Sequence, residues 1–348
     1  MHLMRHVGRA GVATVTGLVI ALIGSAAASA SPSAPSAPVS RSAPAWTSAP
    51  ANLHITHFSI GGRKPARPYT IVAGPDGNLW FTESDVHRIG RITPAGVMTS
   101  FELPDRQAHP YGITVGPDGN LWFTERLGNR IGVMRTDDTL VGEFDLPTLN
   151  AQPWDIALGG DGALWFTEEN ADQIGRITVD GTVSEFPVEP GSLPTFIASD
   201  TKGTLWFTEE LGNAIVRFKP RGLQVPDFRT IAVPTAGALP WDIAPGPGGT
   251  VWFTELAGRN VGRITSKGAV TEFAIPGDLG IAGIVAGPDG NLWFTENDTS
   301  LVGGITVDGA LLPTIGTRPY PFGITSGPDG NLWVCEGYGN AIARVRLG

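Results

Sequence analysis

Gly116-Pro117-Asp118-Gly119-Asn120-Leu121-Trp122-Phe123-Thr124-Glu125 is the stretch that decides the fold. Close variants of it occur seven times, with the tryptophan at Trp80, Trp122, Trp165, Trp206, Trp252, Trp293 and Trp333. The intervals of 42, 43, 41, 46, 41 and 40 residues are too regular for accident and mark an internal repeat. Within the second unit, four short apolar pieces stand between turn signals: Tyr111–Val115, Leu121–Thr124, Arg130–Met134 and Leu140–Phe144. Each is rich in β-branched and aromatic residues and is closed by Gly, Asp or Pro, which reads as a strand. Pro117-Asp118-Gly119-Asn120 is a turn, because Pro presets φ and Gly accepts positive φ. Asp180-Gly181 in the next unit is the pair that a tight hairpin wants.

Four antiparallel strands repeated about every 42 residues are the signature of a β-propeller blade. The chain is therefore expected to be all-β, a seven-bladed β-propeller of four-stranded antiparallel blades. The blades begin near Arg67, His109, Gln152, Leu193, Leu239, Gly280 and Tyr320. Each Trp is expected between neighbouring blades, since one sheet alone cannot bury both faces. No sustained 3.6-residue period supports a helical or leucine-rich solenoid.

The last unit stops after three strands, at Ile342–Arg346. Its missing piece stands at the other end as Leu53–Ile60, which resembles Val270–Ile275. Residues 53–60 are expected to be the outer strand of the seventh blade, closing the ring and removing the free edges. Two units are irregular: the fourth has extra residues over Lys219–Pro226, read as a longer surface hairpin, and the sixth has Ala310–Pro313 where a Glu-Phe pair is due.

Residues 1–30 have the layout of a secretory signal peptide: Arg5, His6 and Arg9, an apolar run, then Ala26-Ala27-Ala28 or Ala28-Ser29-Ala30 as the cleavage site. An uncleaved membrane anchor is the alternative. Residues 31–52 are nearly all Ser, Ala and Pro and read as a flexible linker, leaving 53–348 as the propeller domain. Removing Arg5 and Arg9 takes the formal net charge from −9 to −11, which repels phosphate backbones and argues against nucleic acid as a partner. The secreted, soluble domain is expected to be a monomer with no membrane contact after cleavage. Cys335 is the single cysteine, so no intrachain disulfide is possible and the core must supply the stability.

Propellers bind at a mouth of the central channel, which the inner strands line. The comparable positions before each inner-strand Ile are Tyr69, Tyr111, Trp154, Thr195, Trp241, Ala282 and Phe322, five of them aromatic. Tyr69, Tyr111, Trp154, Trp241 and Phe322 are either packing at the blade tops or an aromatic-walled pocket for a flat or macrocyclic apolar ligand. Glu83, Glu125, Glu168, Glu209, Glu255, Glu296 and Glu336 form a second ring. Duplication copies a structural Glu as readily as a working one, yet carboxylates converging on a channel suit a hard cation such as Mg²⁺. His54 and His57 alternate on the closing strand and are expected to be exposed, whereas His109 precedes Pro110-Tyr111 near the mouth and is the one candidate base. Cys335 reads as a buried strand residue. There is no phosphate-binding Gly loop, paired Cys/His metal spacing or nucleophile elbow.

The units resemble those of the streptogramin B lyases (virginiamycin B lyases) through Leu-Trp-Phe-Thr-Glu, Ile174-Gly-Arg-Ile-Thr178, Val270-Thr-Glu-Phe273 and Pro194-Thr195-Phe196-Ile197, over residues 53 to 348. The resemblance implies a seven-bladed propeller that opens a cyclic depsipeptide without water. A base removes the α-proton of a threonine-derived residue, and Mg²⁺ stabilises the developing enolate. It also implies Pro-His before the sixth inner-strand Ile, where Ala282 stands, and Glu-Pro-His before the seventh, where Tyr320, Pro321 and Phe322 stand. Glu336 fills the position of the family's second metal-binding Glu with a one-residue gap. Two functions are compatible with these residues: a secreted lyase opening a cyclic depsipeptide or lactone, or a non-catalytic propeller binding a small molecule or cyclic peptide at its aromatic mouth.

Overall fold

The computed structural model describes residues 53–277 and 280–347, all as strands, turns and single turns of 3₁₀ helix. The proposed signal peptide and linker lie outside them. Seven four-stranded antiparallel sheets are arranged as blades, and six of them take four consecutive strands each. In the second blade the strands are Pro110–Val115, Leu121–Glu125, Arg130–Met134 and Leu140–Asp145, within a residue of the sequence reading. The seventh sheet joins the chain ends: His54–Ser59 pairs antiparallel with Ala341–Arg346, from His54 opposite Arg346 to Ser59 opposite Ala341.

The Gly-Pro-Asp-Gly-Asn turn links the inner strand to the second. Gly119 has φ 74°, and its N–H donates to Gly116 O at 3.1 Å. Asp118 anchors the start of the second strand, accepting from Asn120 N at 3.1 Å and from Trp122 Nε1 at 3.1 Å. Trp122 therefore has its indole N–H satisfied inside a core, as a buried Trp requires. Its ring stacks on Phe144 of its own blade at 5.9 Å and packs among Ile156, Leu164 and Phe166 of the next. Trp333 does the same against Ile71 and Leu79 of the first blade, so the last interface has the same packing as the others. The fifth unit has no Asp in this turn, and Thr250 Oγ1 accepts the Trp252 N–H at 3.0 Å instead.

Both irregular units conform to expectation. Residues 219–228 connect Ala214–Phe218 to Arg229–Ala232 in the fourth blade, and the sixth blade's outer strand, Leu311–Gly316, has a register shift that accommodates Pro313.

Every inner strand breaks register with its neighbour between its first residue and its Ile, at Pro110/Ile113 for example. The bulge leaves an N–H without a ladder partner, and the Thr of Leu-Trp-Phe-Thr-Glu supplies one. Gly112 N donates to Thr124 Oγ1 at 2.9 Å, and that hydroxyl donates to Trp154 O of the next blade at 2.8 Å. The same two-way bridge is built by Thr82, Thr167, Thr208, Thr254 and Thr295. In the seventh blade Cys335 occupies the Thr position, fully buried, and no such bridge reaches the first blade.

Two variants test this linkage by denaturant unfolding. Cys335→Thr should add the seventh bridge and raise stability by about 1 kcal/mol. Thr124→Val, which strands a buried N–H and a buried carbonyl, should lower it by about 2 kcal/mol.

Candidate functional site

The chain enters each inner strand through a residue in the left-handed region: Arg67, His109, Gln152, Leu193, Leu239, Gly280 and Tyr320, with φ between 46° and 102°. That turn and the adjoining bulge aim the next side chain at the channel mouth. Tyr69, Tyr111, Trp154, Trp241 and Phe322 are thereby brought together. Tyr69 lies 4.4 Å from Tyr111 and 4.7 Å from Phe322 between ring centroids, and Trp154 lies 4.9 Å from Tyr111 and 5.6 Å from Trp241. Phe196, one residue beyond the position expected to count in its unit, completes the cluster at 5.5 Å from Trp241. Thr195 is instead fully buried, its Oγ1 2.8 Å from that of Thr208.

These rings share the mouth with a cavity that Tyr69, Phe196, Trp241 and Phe322 help line. They pack on one another, with Tyr69 and Trp154 each only 7% exposed, while Tyr111, Trp241 and Phe322 keep part of their faces in solvent. The cavity, of about 290 Å³, runs down the channel, bounded by Tyr69, Trp241 and Phe322 and lined further in by Ile113, Asp155 and Asp242. The two aspartates come from identical Pro-Trp-Asp-Ile-Ala stretches in the third and fifth units, a signal that was available in the sequence. Asp155 Oδ2 accepts from Ile197 N at 3.1 Å, and Asp242 Oδ2 accepts from Ile284 N at 2.8 Å. Burial pushes their carboxyls up to about 7 and about 8.

Much of the polar rim comes from the residue after the repeated Glu in the second, third and fourth units, Arg126, Glu169 and Glu210, which the sequence reading overlooked. Arg126 lies 5.3 Å from the Tyr111 ring centroid and 4.7 Å from that of Trp154, and it pairs with Glu169 of the next blade at 2.7 Å. Glu210, in the same position of the fourth blade, is pushed up to about 7 by burial and then by Glu169. Strand alternation is the missed cue: if Glu faces one way, its successor faces the other. His109 stands beside His87 with ring centroids 4.5 Å apart, and burial, then His87, holds it below its ordinary pKa in the neutral form. Arg67 lies 4.6 Å from the Tyr338 ring centroid, and Tyr338 lies 4.6 Å from Tyr320.

The seven repeated glutamates do not converge on the channel, because Glu and Phe of the motif share the strand face that covers the third strand. At Gly132 that face is so close that a Cβ would overlap the Phe123 ring and come within 2.9 Å of Glu125 Oε1. Glu336 is fully buried there, and its Oε1 accepts from Arg318 N at 2.7 Å. His57 Nδ1 lies 2.9 Å from the same carboxylate. The expectation of an exposed His57 thus fails, because the closing strand turns that ring inward to the buried acid. Among the described residues no three His, Cys, Asp or Glu side chains stand close enough to hold a metal. Glu336 already holds His57 and the Arg318 N–H, and Tyr320 stands where the resemblance implies its partner carboxylate, so the pair of acids through which Mg²⁺ would be held is not built here.

The virginiamycin B lyase family model matches residues 48–229 and 188–348. The chain is similar to a solved streptogramin B lyase, with 32% identity and a TM-score of 0.80, over 87% of this chain and 100% of that one. It is equally similar to a catalytically inactive histidine-to-alanine variant of virginiamycin B lyase from Staphylococcus aureus with quinupristin, at 32% identity and a TM-score of 0.79, over 85% and 100%. Hydrazine synthase from Kuenenia stuttgartiensis, at 16% identity, TM-score 0.69 and 83% and 97% coverage, shares the fold alone. No curated protein matches.

Burial, with Glu143, Glu185 and Glu272 beside them, pushes Glu125, Glu168 and Glu255 up to about 8 from 4.5. The folded state therefore holds protons that the unfolded chain releases. Their contribution to stability is complete below pH 4.5 and is lost as pH rises through about 8. His87 and His109 act in the opposite sense below their ordinary value of 6.5, and the raised carboxylates outnumber them. The thermal midpoint should be several degrees higher at pH 5 than at pH 8, with a shallower slope in Glu168→Gln. A midpoint that climbs over this interval would contradict the assignment.

Proposed function

The chain belongs to the virginiamycin B lyase family, and from that premise we propose that it binds a cyclic depsipeptide or macrolactone on the aromatic cluster at the channel mouth without opening the ring. The observation that carries this reading is the identity of the two positions where the resemblance implies histidines. Ala282 is 1% exposed, with its carbonyl accepting from Thr254 Oγ1, and Phe322 is part of the packed aromatic cluster. An elimination without a base at the α-proton forgoes roughly 10²–10⁴-fold in rate. The partly exposed faces of Tyr111, Trp241 and Phe322 retain the features that binding needs, an apolar aromatic floor. Arg126 adds a fixed donor beside that floor for a ligand carbonyl.

Ring opening by the family's elimination is the second reading. It is favoured by one observation, the neutral His109 held at the rim by burial and His87. Mg²⁺ belongs to that reading alone, and Glu336 would need to leave His57 and Arg318 to serve it. Export by the N-terminal segment is part of the proposal, so that the ligand is met outside the cytoplasm by a monomer.

Quinupristin is a suitable probe. Its binding, followed by tryptophan fluorescence, should saturate, and Trp241→Ala should weaken it about tenfold, or about 1.4 kcal/mol. Chromatography and NMR after prolonged incubation with Mg²⁺ should return the intact ring; mass alone is uninformative, because elimination yields an isomer. A linear product that disappears in His109→Ala would establish the second reading, and unchanged affinity in Trp241→Ala would overturn the first.

A further inference from the structure

We propose that the insertion in the fourth blade builds a second binding site, for a phosphate-type oxyanion, free or as a small monoester, held between Arg217 and Arg229. The site lies at the hairpin end of the blade, away from the aromatic mouth, and does not depend on any ligand binding there. Two independent observations carry it.

The first is a like-charge pair in the strand register. Arg217 of the third strand stands directly opposite Arg229 of the outer strand. Elsewhere the Arg at this third-strand position faces a small hydroxyl residue: Arg91 faces Thr99, Arg176 faces Ser184, Arg263 faces Thr271 and Arg344 faces Thr56. Like charges directly opposite on adjacent strands are destabilising. A bound anion turns that conflict into a clamp. Duplication does not account for it, because the four other copies with Arg here have Thr or Ser opposite.

The second is a cleft. Residues 219–228 fold back to form one wall of an open cleft of about 340 Å³, within the usual range for a small-ligand site. Arg217, Lys219, Arg221 and Arg229 line it against one acid, Asp227, in a chain of formal net charge −9. Asp227 accepts from Arg229 Nε and Nη2 at 3.1 and 3.0 Å; the pair is exposed, so an anion can displace it at little cost. Lys219 and Arg221 pair with no acid among the described residues. Arg217 is held in place, its Nη1 donating to Ser266 O at 3.0 Å and its guanidinium 5.3 Å from the Trp206 ring centroid. An adjoining hollow of about 120 Å³ shares Thr204 and Arg217 and adds Lys202 and Asp200.

Forked guanidinium donors, one ammonium group (Lys219) and a hydroxyl (Thr204) are the set that phosphate oxygens accept from. Val225, 80% exposed, and Pro226 offer an apolar wall for the carbon part of a monoester. The acidic remainder of the surface disfavours a long phosphate backbone and leaves a small ligand as the fit.

Calorimetric titration with inorganic phosphate and with glycerol 3-phosphate, at constant ionic strength, tests the site. The protein should bind phosphate, and Arg229→Thr, which installs the residue found opposite Arg in other blades, should weaken binding at least tenfold. Lys219→Ala, an exposed change that leaves the strands intact, should weaken it less. Tighter binding of glycerol 3-phosphate would assign the apolar wall to a monoester, and equal binding would assign free phosphate. In chloride, Arg229→Thr should unfold at a higher temperature than the parent protein. Phosphate strengthens burial in any protein, so the difference between parent and variant is the quantity that counts. Equal phosphate affinity in both, or malonate bound as tightly as phosphate, would overturn the proposal.

Discussion

A propeller ring has no covalent closure, so it depends on how each blade is tied to the next. Here the tie is one threonine hydroxyl per interface. Because the inner strand bulges, an N–H such as Gly112 N turns away from its ladder, and Thr124 Oγ1 both accepts from it and donates to Trp154 O in the adjacent blade. One side chain satisfies two buried backbone groups that would each cost free energy if left alone. Cys335 interrupts the series at the seam. The seam is tied by other means: the outer strand His54–Ser59 laid on Ala341–Arg346, Asn340 Oδ1 accepting from Ala66 N at 2.6 Å, and Glu336 holding His57.

The same bulge sets the character of the mouth. It tips the residue after each leading Pro inward, so a unit that repeats an aromatic at this position generates a cluster. In this chain the cluster is dense enough that Tyr69 and Trp154 are nearly lost from solvent. Below it, Asp155 and Asp242 stay in the channel because each accepts a backbone N–H of the next blade, which compensates part of the cost of burying a carboxyl. The mouth is thus apolar with the Arg126–Glu169 ion pair at its edge.

Blade count, strand limits and closure were legible in the chain, because they rest on local signals that survive duplication. The Pro-Asp-Gly-Asn turn, period-two patterning and Trp spacing act within a dozen residues. The placement of Trp122 between blades followed from the need to cover two sheet faces. The site was less legible. Phe196 joins the aromatic cluster although Thr195 occupies the comparable position, because the bulge allows either residue to point inward. Arg126 and Glu169 were hidden behind the louder Glu that precedes each of them.

The sequence by itself determined the ring: seven copies, four strands each, and a terminal strand able to complete the last sheet. Tertiary structure alone decided which side chains share a space. It turned the repeated glutamates onto the third strands, set His57 against Glu336 across 279 residues of chain, and faced Arg217 with Arg229. The physical reason is range. Turns and periodicity are enforced by neighbours along the chain, whereas the direction of a side chain in a propeller depends on bulges, register and contacts between blades that form only when the ring is closed.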